Sequence, residues 1–341
     1  MWRYGIRILM IPLLFILLAP NGFAGSLPPL VHISGRTMGT SYHISFYGMR
    51  PISIHDEIER LLVRINEQMS TYLEDSEISR FNRAEAGVWF PVSRDFAQVV
   101  ADAKQMHALS GGSFEPTIEP LVNLWGFGPM KMPNKVPATE VISDTLTEIG
   151  MDKVQVKLDP PSLRKEHKKV EIDLSAMAKG FGVDKVALFL ESIGLDRYMV
   201  EIGGEVRVGR KKPDGLAWMI GIQMPEDGGG LELARILKLE QGSVATSGDY
   251  RNYYEKDGKR YSHIIDPLTG FPIKHKLASV TVVTKRCADA DALATAFMVM
   301  GSDKGLDLAK EQSLAVLFVV RDGGGGGFRQ ILSPAMSAYV K

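Results

Sequence analysis

Asp291 and Thr295 stand four residues apart in the alanine-rich run 288–300, so on a helix they share one face. A carboxylate beside a hydroxyl is a pair of hard oxygen donors, suited to Mg2+ and poor for zinc. The same spacing fits an acid that favours the helix dipole beside a spectator threonine, and spacing alone leaves both readings open. Asp289, nearer the helix start, competes as its N-cap. His263, in Ser262-His-Ile-Ile-Asp-Pro-Leu-Thr-Gly270, closes a strand just before a proline turn, with Asp266 close by. A histidine there can move a proton as general acid or base, or it can simply bond the turn backbone. The third cluster is Glu171-Ile-Asp-Leu-Ser-Ala-Met-Ala-Lys-Gly-Phe-Gly-Val-Asp184. It reads as a strand ending at Asp173, a turn at Ser175 and Ala176, and a helix carrying Lys179 in its first turn. A helix N-terminus with a lysine nearby is a place for a phosphate. Gly180 and Gly182 each cost about 1 kcal/mol relative to alanine, which implies close approach of a ligand or another backbone.

These groups need elements to hold them. Val183, Val186, Ala187, Leu190 and Ile193 form a helical stripe stopped at Gly194. Leu293, Phe297 and Met300 lie opposite Asp291 and would pin the late helix to a core. Upstream, Tyr42, Ile44 and Phe46 alternate as a half-buried strand after the turn Met38-Gly-Thr40. Ile54, Ile58, Leu61, Leu62, Ile65 and Met69 predict a helix with a capping-box-like start at Ser53 and Asp56. Residues 70–82 read as loop and helical turns, and Phe96, Val99, Val100 and Ala103 as a helix stopped at Gly111-Gly112. The run 113–128 mixes prolines, acids, aromatics and glycines, which suits a loop lining a pocket. A short helix follows near Ile142, then strands at 154–158 and 170–174. Hairpins are expected at 198–202/205–208 around Gly203-Gly204 and at 250–256/259–265 around Asp257-Gly258. Further strands fall at 218–223, 234–240, 279–284, 314–320 and 328–332. Hairpin-joined strands with a few helices between them predict an α+β fold rather than an alternating parallel sheet.

The chain has 341 residues, 45% hydrophobic and 23% charged, ordinary values for a globular protein. Forty basic and forty acidic residues cancel, so no global field argues for nucleic acid. No phosphate-binding Gly-x-x-x-x-Gly-Lys loop, nucleophile elbow or complete dinucleotide fingerprint is present. Cys287 is the only cysteine, which excludes a disulfide framework and a lipidated N-terminal cysteine. Arg3 and Arg7 precede an apolar run from Ile8 to Ala19, with Gly22 and Ala24 after it. That is the pattern of a secretory signal, residues 1–24, or of an N-terminal anchor if it is not cleaved. The expectation is export to the periplasm, or inner-membrane association if the segment is retained. Residues 25–341 read as one domain.

Taken together and in order, several stretches resemble the ApbE-like FAD:protein FMN transferase family. They are Met38-Gly-Thr-Ser-Tyr42, Ser70-Thr-Tyr with Ser76-Glu-Ile-Ser-Arg-Phe-Asn82, Phe114-Glu-Pro-Thr-Ile, and Leu124-Trp-Gly-Phe-Gly128. Asp173 to Asp184, Glu201-Ile-Gly-Gly-Glu205, His263 to Gly270 and Asp291-Ala-Leu-Ala-Thr295 complete the set. The resemblance implies an α-β roll and a Mg2+-dependent enzyme that splits FAD, attaches FMN to a Thr or Ser hydroxyl of a target protein, and releases AMP. The implied acceptor is a redox or electron-transfer subunit. By the same resemblance the Ala176 carbonyl, Asp291 and Thr295 would hold the metal, and His263 would assist proton transfer. Met38, Tyr72, Ser113, Phe114, Glu115, Asp173, Lys179 and Ile264 would line the FAD site, with Gly180 and Gly182 as clearance for it. Tyr72 and Trp125 are candidates to meet a ring of FAD, an ordinary core role for Trp125 being equally open. Glu115 stands where the family more often has Asp, and Ala288 supplies no further carboxylate before Asp291. An FAD pyrophosphatase and a non-catalytic periplasmic flavin-binding protein are the alternatives.

Overall fold

The alternation at Tyr42, Ile44 and Phe46 marks one strand of an eight-stranded sheet, and all three side chains are buried. In the computed structural model of the chain, the described residues are 27–128, 136–225, 232–249, 253–256, 258–322 and 327–340. The sheet runs, in spatial order, Leu30–Thr37, Thr40–Tyr47, Tyr198–Ile202, Glu205–Val208, Gly242–Gly248, Leu277–Thr284, Ala315–Arg321 and Phe328–Leu332. Every neighbouring pair is antiparallel. With helices packed against it, the fold is α+β, as the hairpin pattern predicts. Gly203 and Gly204 both take positive φ, 62° and 105°, which lets two residues join adjacent strands without splaying them.

Two helices carry the chemistry-bearing residues, Ser175–Ser192 and Cys287–Met300, packed on each other and on the sheet. They meet backbone to backbone at Gly180, where an added Cβ would lie 2.4 Å from the Cys287 carbonyl oxygen. At Gly182 it would lie 2.9 Å from the Met38 Cε. The costly glycines therefore clear a neighbouring helix and a methionine, and not FAD as the resemblance suggested. The helix Ile54–Met69 buries the whole expected stripe, Ile54, Ile58, Leu61, Leu62, Ile65 and Met69. Its start differs from expectation: Ser53 makes no side-chain cap and donates to Glu57 Oε1 at 2.6 Å. Asp289 does not cap the late helix either, because that helix begins two residues earlier, at Cys287.

Residues 170–174 do not form the expected strand and pair with no other strand. The Asn82 side chain stands in for a ladder partner, donating to the Ile172 carbonyl at 2.9 Å and accepting from its N–H at 2.8 Å. Lys165, at the end of the strand Pro161–Lys165, is fully buried and donates to the carbonyls of Asn82, Lys168 and Val170 at 2.5, 2.9 and 3.1 Å. One ammonium thus secures the segment that delivers Asp173. Burial pushes that ammonium down to about 8, against the pull of Glu171 and Glu85. We expect Lys165→Met to cost about 3 kcal/mol in urea unfolding at pH 7, since three buried carbonyls lose their donor. The unfolded chain holds the lysine proton up to about 10.5, so wild-type stability gains from pH 8 to 10.5 and the methionine variant lacks that gain.

The expected signal segment, the glycine run 228–230, most of 323–327 and parts of 129–137 and 250–257 lie outside the described residues. Among the described residues, no helix is long and apolar enough to cross a membrane.

Candidate active site

The segment 170–174 before Ser175, the two packed helices and the strand end at His263 converge on one cavity of about 410 Å3. Its lining includes Tyr72, Ser113, Phe114, Glu115, Asp173, Ala176, Lys179, His263, Ile264, Asp291 and Thr295. Met38 lies elsewhere, on a neighbouring, mostly apolar cavity of about 820 Å3 with Ile65 and Met69. Thr71, Tyr72, Ser175 and Lys179 border both cavities. The twelve positions that the resemblance assigned to metal, proton transfer and FAD therefore border one or other of two chambers that meet at Thr71, Tyr72, Ser175 and Lys179.

Lys179 Nζ sits 3.3 Å from Glu205 Oε1 and 3.6 Å from Asp291 Oδ2. Burial alone would lower its pKa, but the Asp291 and Glu205 carboxylates outweigh burial and hold the ammonium charged, above the ordinary lysine range. Burial raises the Glu205 carboxyl against the pull of Lys179, and its Oε2 is buried without a hydrogen-bond partner. Asp291 Oδ2 also accepts from the Gly180 N–H at 3.1 Å. One turn along the same helix face, Thr295 Oγ1 lies 3.2 Å from Ser247 Oγ. Glu205 and Ser247 were not foreseen as site residues. Glu205 was visible just after the Gly-Gly turn, whereas Ser247 lies on a strand of small residues that hydrophobic alternation does not reveal.

Among the described residues no cluster of three or more His, Cys, Asp or Glu is placed to hold a metal. The Asp291 carboxylate, the Thr295 and Ser247 hydroxyls and the Ala176 carbonyl are all hard oxygens, with Glu205 Oε2 still lacking a partner. Few protein ligands, all oxygen, is the pattern suited to Mg2+ completed by water and substrate phosphate. The residues fit such an ion.

Asp173 Oδ1 accepts from the Ser175 N–H at 2.7 Å and from its hydroxyl, an Asx-type turn that starts the glycine-rich helix. Beside it lies Glu119, buried, one of the acids of the run 113–128 that was expected to line a pocket as a loop; its stretch folds instead as the short helix Glu119–Leu124. Burial, then the Asp173 and Glu171 charges, drives the Glu119 carboxyl well above the ordinary range. It can thus offer a proton to Asp173. The Tyr72 hydroxyl is raised for the same reasons, burial first and then Asp173 and Glu119. Glu115 borders the cavity, but its carboxylate is occupied by the Thr117 N–H and hydroxyl at 2.8 and 2.6 Å and by His107 Nδ1 at 3.2 Å. It braces the loop that carries Ser113 and Phe114. His263 packs edge-on against Phe127, ring centres 6.3 Å apart. Trp125 is core: it is buried, donates to the Gly270 carbonyl at 2.8 Å and stacks on Tyr261.

A model of the ApbE family matches residues 38–318. A Vibrio cholerae protein named FAD:protein FMN transferase is 42% identical over 314 residues, 91% of this chain and 92% of its own length. The Haemophilus influenzae protein of that name is 41% identical over 320 residues, 92% of this chain and 91% of that one. The solved flavin transferase ApbE from Vibrio cholerae superposes with a TM-score of 0.83 at 41% identity, covering 91% of this chain and 99% of that one. The apo form of Pseudomonas stutzeri flavinyl transferase ApbE gives 0.84 at 39% identity, covering 92% and 97%. Family model, sequence identity and fold agree, and this chain belongs to the ApbE family.

Proposed function

We propose that this protein is a Mg2+-dependent FAD:protein FMN transferase, moving FMN onto a Thr or Ser hydroxyl of an acceptor protein and releasing AMP. The observation that carries the reading is the pair of cavities sharing Lys179. FAD is two ring systems joined by a diphosphate, and two chambers joined at a cation match that division of apolar and charged parts. The relatives named FAD:protein FMN transferase support the same reading.

The reaction forms a bond between the acceptor hydroxyl oxygen and the FMN phosphorus and breaks the diphosphate bridge, so that AMP leaves with the bridging oxygen. Attack must be in line, and the protein's work is positioning and charge neutralisation. A Mg2+ held by Asp291, Thr295 and the Ala176 carbonyl would supply Lewis-acid neutralisation of the phosphate oxygens. Lys179 adds a fixed positive charge, and its carboxylate partners keep it protonated. His263, just past the strand Lys259–Ser262 and in the lining of the same cavity, would take the hydroxyl proton. Asp173, with Glu119 behind it, presents hydrogen-bond acceptors to polar groups of FAD. The N-terminal pattern 1–24 supports export, which would place the acceptor in the periplasm or at the inner membrane.

The test is to incubate the purified protein with FAD, Mg2+ and periplasmic redox proteins encoded beside it, then weigh each acceptor. The expected result is a mass gain of one FMN phosphoester, matched by AMP. FMN and AMP without a modified acceptor would replace this reading with an FAD pyrophosphatase. Stoichiometric FAD binding without cleavage would reduce it to a flavin carrier.

A further inference from the structure

Behind His263 runs a wall of rings. Phe127 stacks on Tyr254 with ring centres 5.4 Å apart, Tyr254 on Tyr261 at 5.2 Å, and Tyr261 on Trp125 at 5.7 Å. Trp125 and Tyr261 border a different cavity, of about 670 Å3, that the flavin chemistry does not use. Its rim is basic. Lys259, Lys274 and Lys276 are exposed, and none of them pairs with a carboxylate among the described residues. The acid in its lining, Asp249, is already held by both terminal nitrogens of Arg321 at 2.9 and 2.6 Å. The protein as a whole is neutral, so this local excess of positive charge is a feature of the surface rather than of composition.

The basic cavity is tied to the active cavity through the backbone. The strand Lys259–Ser262 runs straight into His263 and Ile264, so Lys259 lies about 13 Å from His263 along extended chain. The Ile273 N–H donates to the Ile264 carbonyl at 3.0 Å, which brings Lys274 and Lys276 back alongside the same strand end. The arrangement bears on the kind of anion it suits. Both guanidinium forks in the lining, the groups best shaped for a single phosphate, are committed: Arg321 to the Asp249 carboxylate, and Arg260 to the Asp249 carbonyl at 3.1 Å and to the Tyr253 ring. What remains are flexible point charges spread around a rim, which attract an extended polyanion and speed its encounter more than they fix one small ion.

We propose that this basic cavity docks an acidic segment of the protein acceptor, guiding its hydroxyl toward His263 and FAD. The proposal rests on the transferase reading and adds how the acceptor is recognised. The probes are two fluorescein-labelled peptides of equal length, one with several Glu residues spaced by Gly and Ser, the other with Gln at the same positions. Anisotropy with the purified full-length protein should show the Glu peptide binding about tenfold tighter at low salt, the preference fading as salt is raised. The double variant Lys274→Glu/Lys276→Glu should lose the preference while its flavin binding and metal-dependent FAD cleavage stay at wild-type levels. Equal binding of the two peptides, or a preference that survives in the double variant, would overturn the proposal. So would complete displacement of the Glu peptide by inorganic phosphate at millimolar concentration, which would mark a small-anion site. A protein that prefers the Glu peptide and yet transfers FMN to no acceptor would leave the surface standing and sink the transferase reading instead.

Discussion

Asp291→Ala is expected to lower metal-dependent FAD cleavage and FMN transfer about a thousandfold, with the fold retained. Two arguments set the size. The carboxylate is the only charged oxygen on the helix face it shares with Thr295, and losing a preorganised electrostatic group at developing charge costs on the order of a hundred- to a thousandfold. Losing it also frees Lys179 to pair with Glu205 alone, 3.3 Å away, so the ammonium is drawn off toward the sheet. That second effect protects the fold. Without the Asp291 charge, Lys179 draws the Glu205 carboxyl toward its ionised form, and the helix loses chiefly one hydrogen bond from Gly180. The stability loss should then be about 1 kcal/mol. The checks are initial rates against Mg2+ concentration and thermal unfolding of both proteins. An alanine variant that responds to Mg2+ as the wild type does would refute the metal assignment.

The sequence disclosed the parts of this site that rest on periodicity or short motifs. The i, i+4 pair Asp291 and Thr295 does share a face, and the stripe on Ile54–Met69 is buried as read. The Gly-Gly and Asp-Gly turns announced the hairpins. What stayed hidden is set by tertiary partners. The strand Gly242–Gly248 is glycine, serine, alanine and threonine at most positions, and takes its conformation from neighbours on both sides rather than from β propensity. Residues 170–174 look like a strand because apolar Val170, Ile172 and Leu174 alternate with acids, yet Asn82 and Lys165 satisfy backbone groups there in place of a ladder. Gly180 was legible as a close approach but not as an approach to Cys287, which lies more than a hundred residues away in the chain. Asp289 looked like a cap because it is the acid nearest the helix start. The real cap comes from another helix.

That cap is Asp184, and Asp184→Ala carries the largest expected loss of stability. Its Oδ1 accepts from the Cys287 N–H at 3.0 Å and from Arg207 Nη1 at 2.7 Å, and its Oδ2 accepts from the Ala288 N–H at 3.0 Å. Arg286, at the N-cap position, provides no side-chain cap of its own. The helix carrying Asp291 and Thr295 is therefore seated by a residue of the helix carrying Ala176 and Lys179. Alanine at 184 strands two N–H groups and leaves Arg207 with Glu191, 3.2 Å from Nη2, as its remaining acid. Breaking a buried pair on one side, together with a lost cap, costs about 3–5 kcal/mol. Asp184→Asn keeps one acceptor oxygen and should lose roughly half of that. A purely structural role predicts that activity below the melting temperature is unchanged. A positioning role predicts more: with the helix N-terminus released, the oxygens of Asp291 and Thr295 shift relative to the Ala176 carbonyl. The Mg2+ concentration for half-maximal FAD cleavage should then rise about tenfold in Asp184→Ala and less in Asp184→Asn. FAD binding measured without metal should change little, since no wall of either cavity is formed by Asp184. If the alanine variant melts early but needs no more Mg2+ than the wild type, Asp184 holds the fold and not the site.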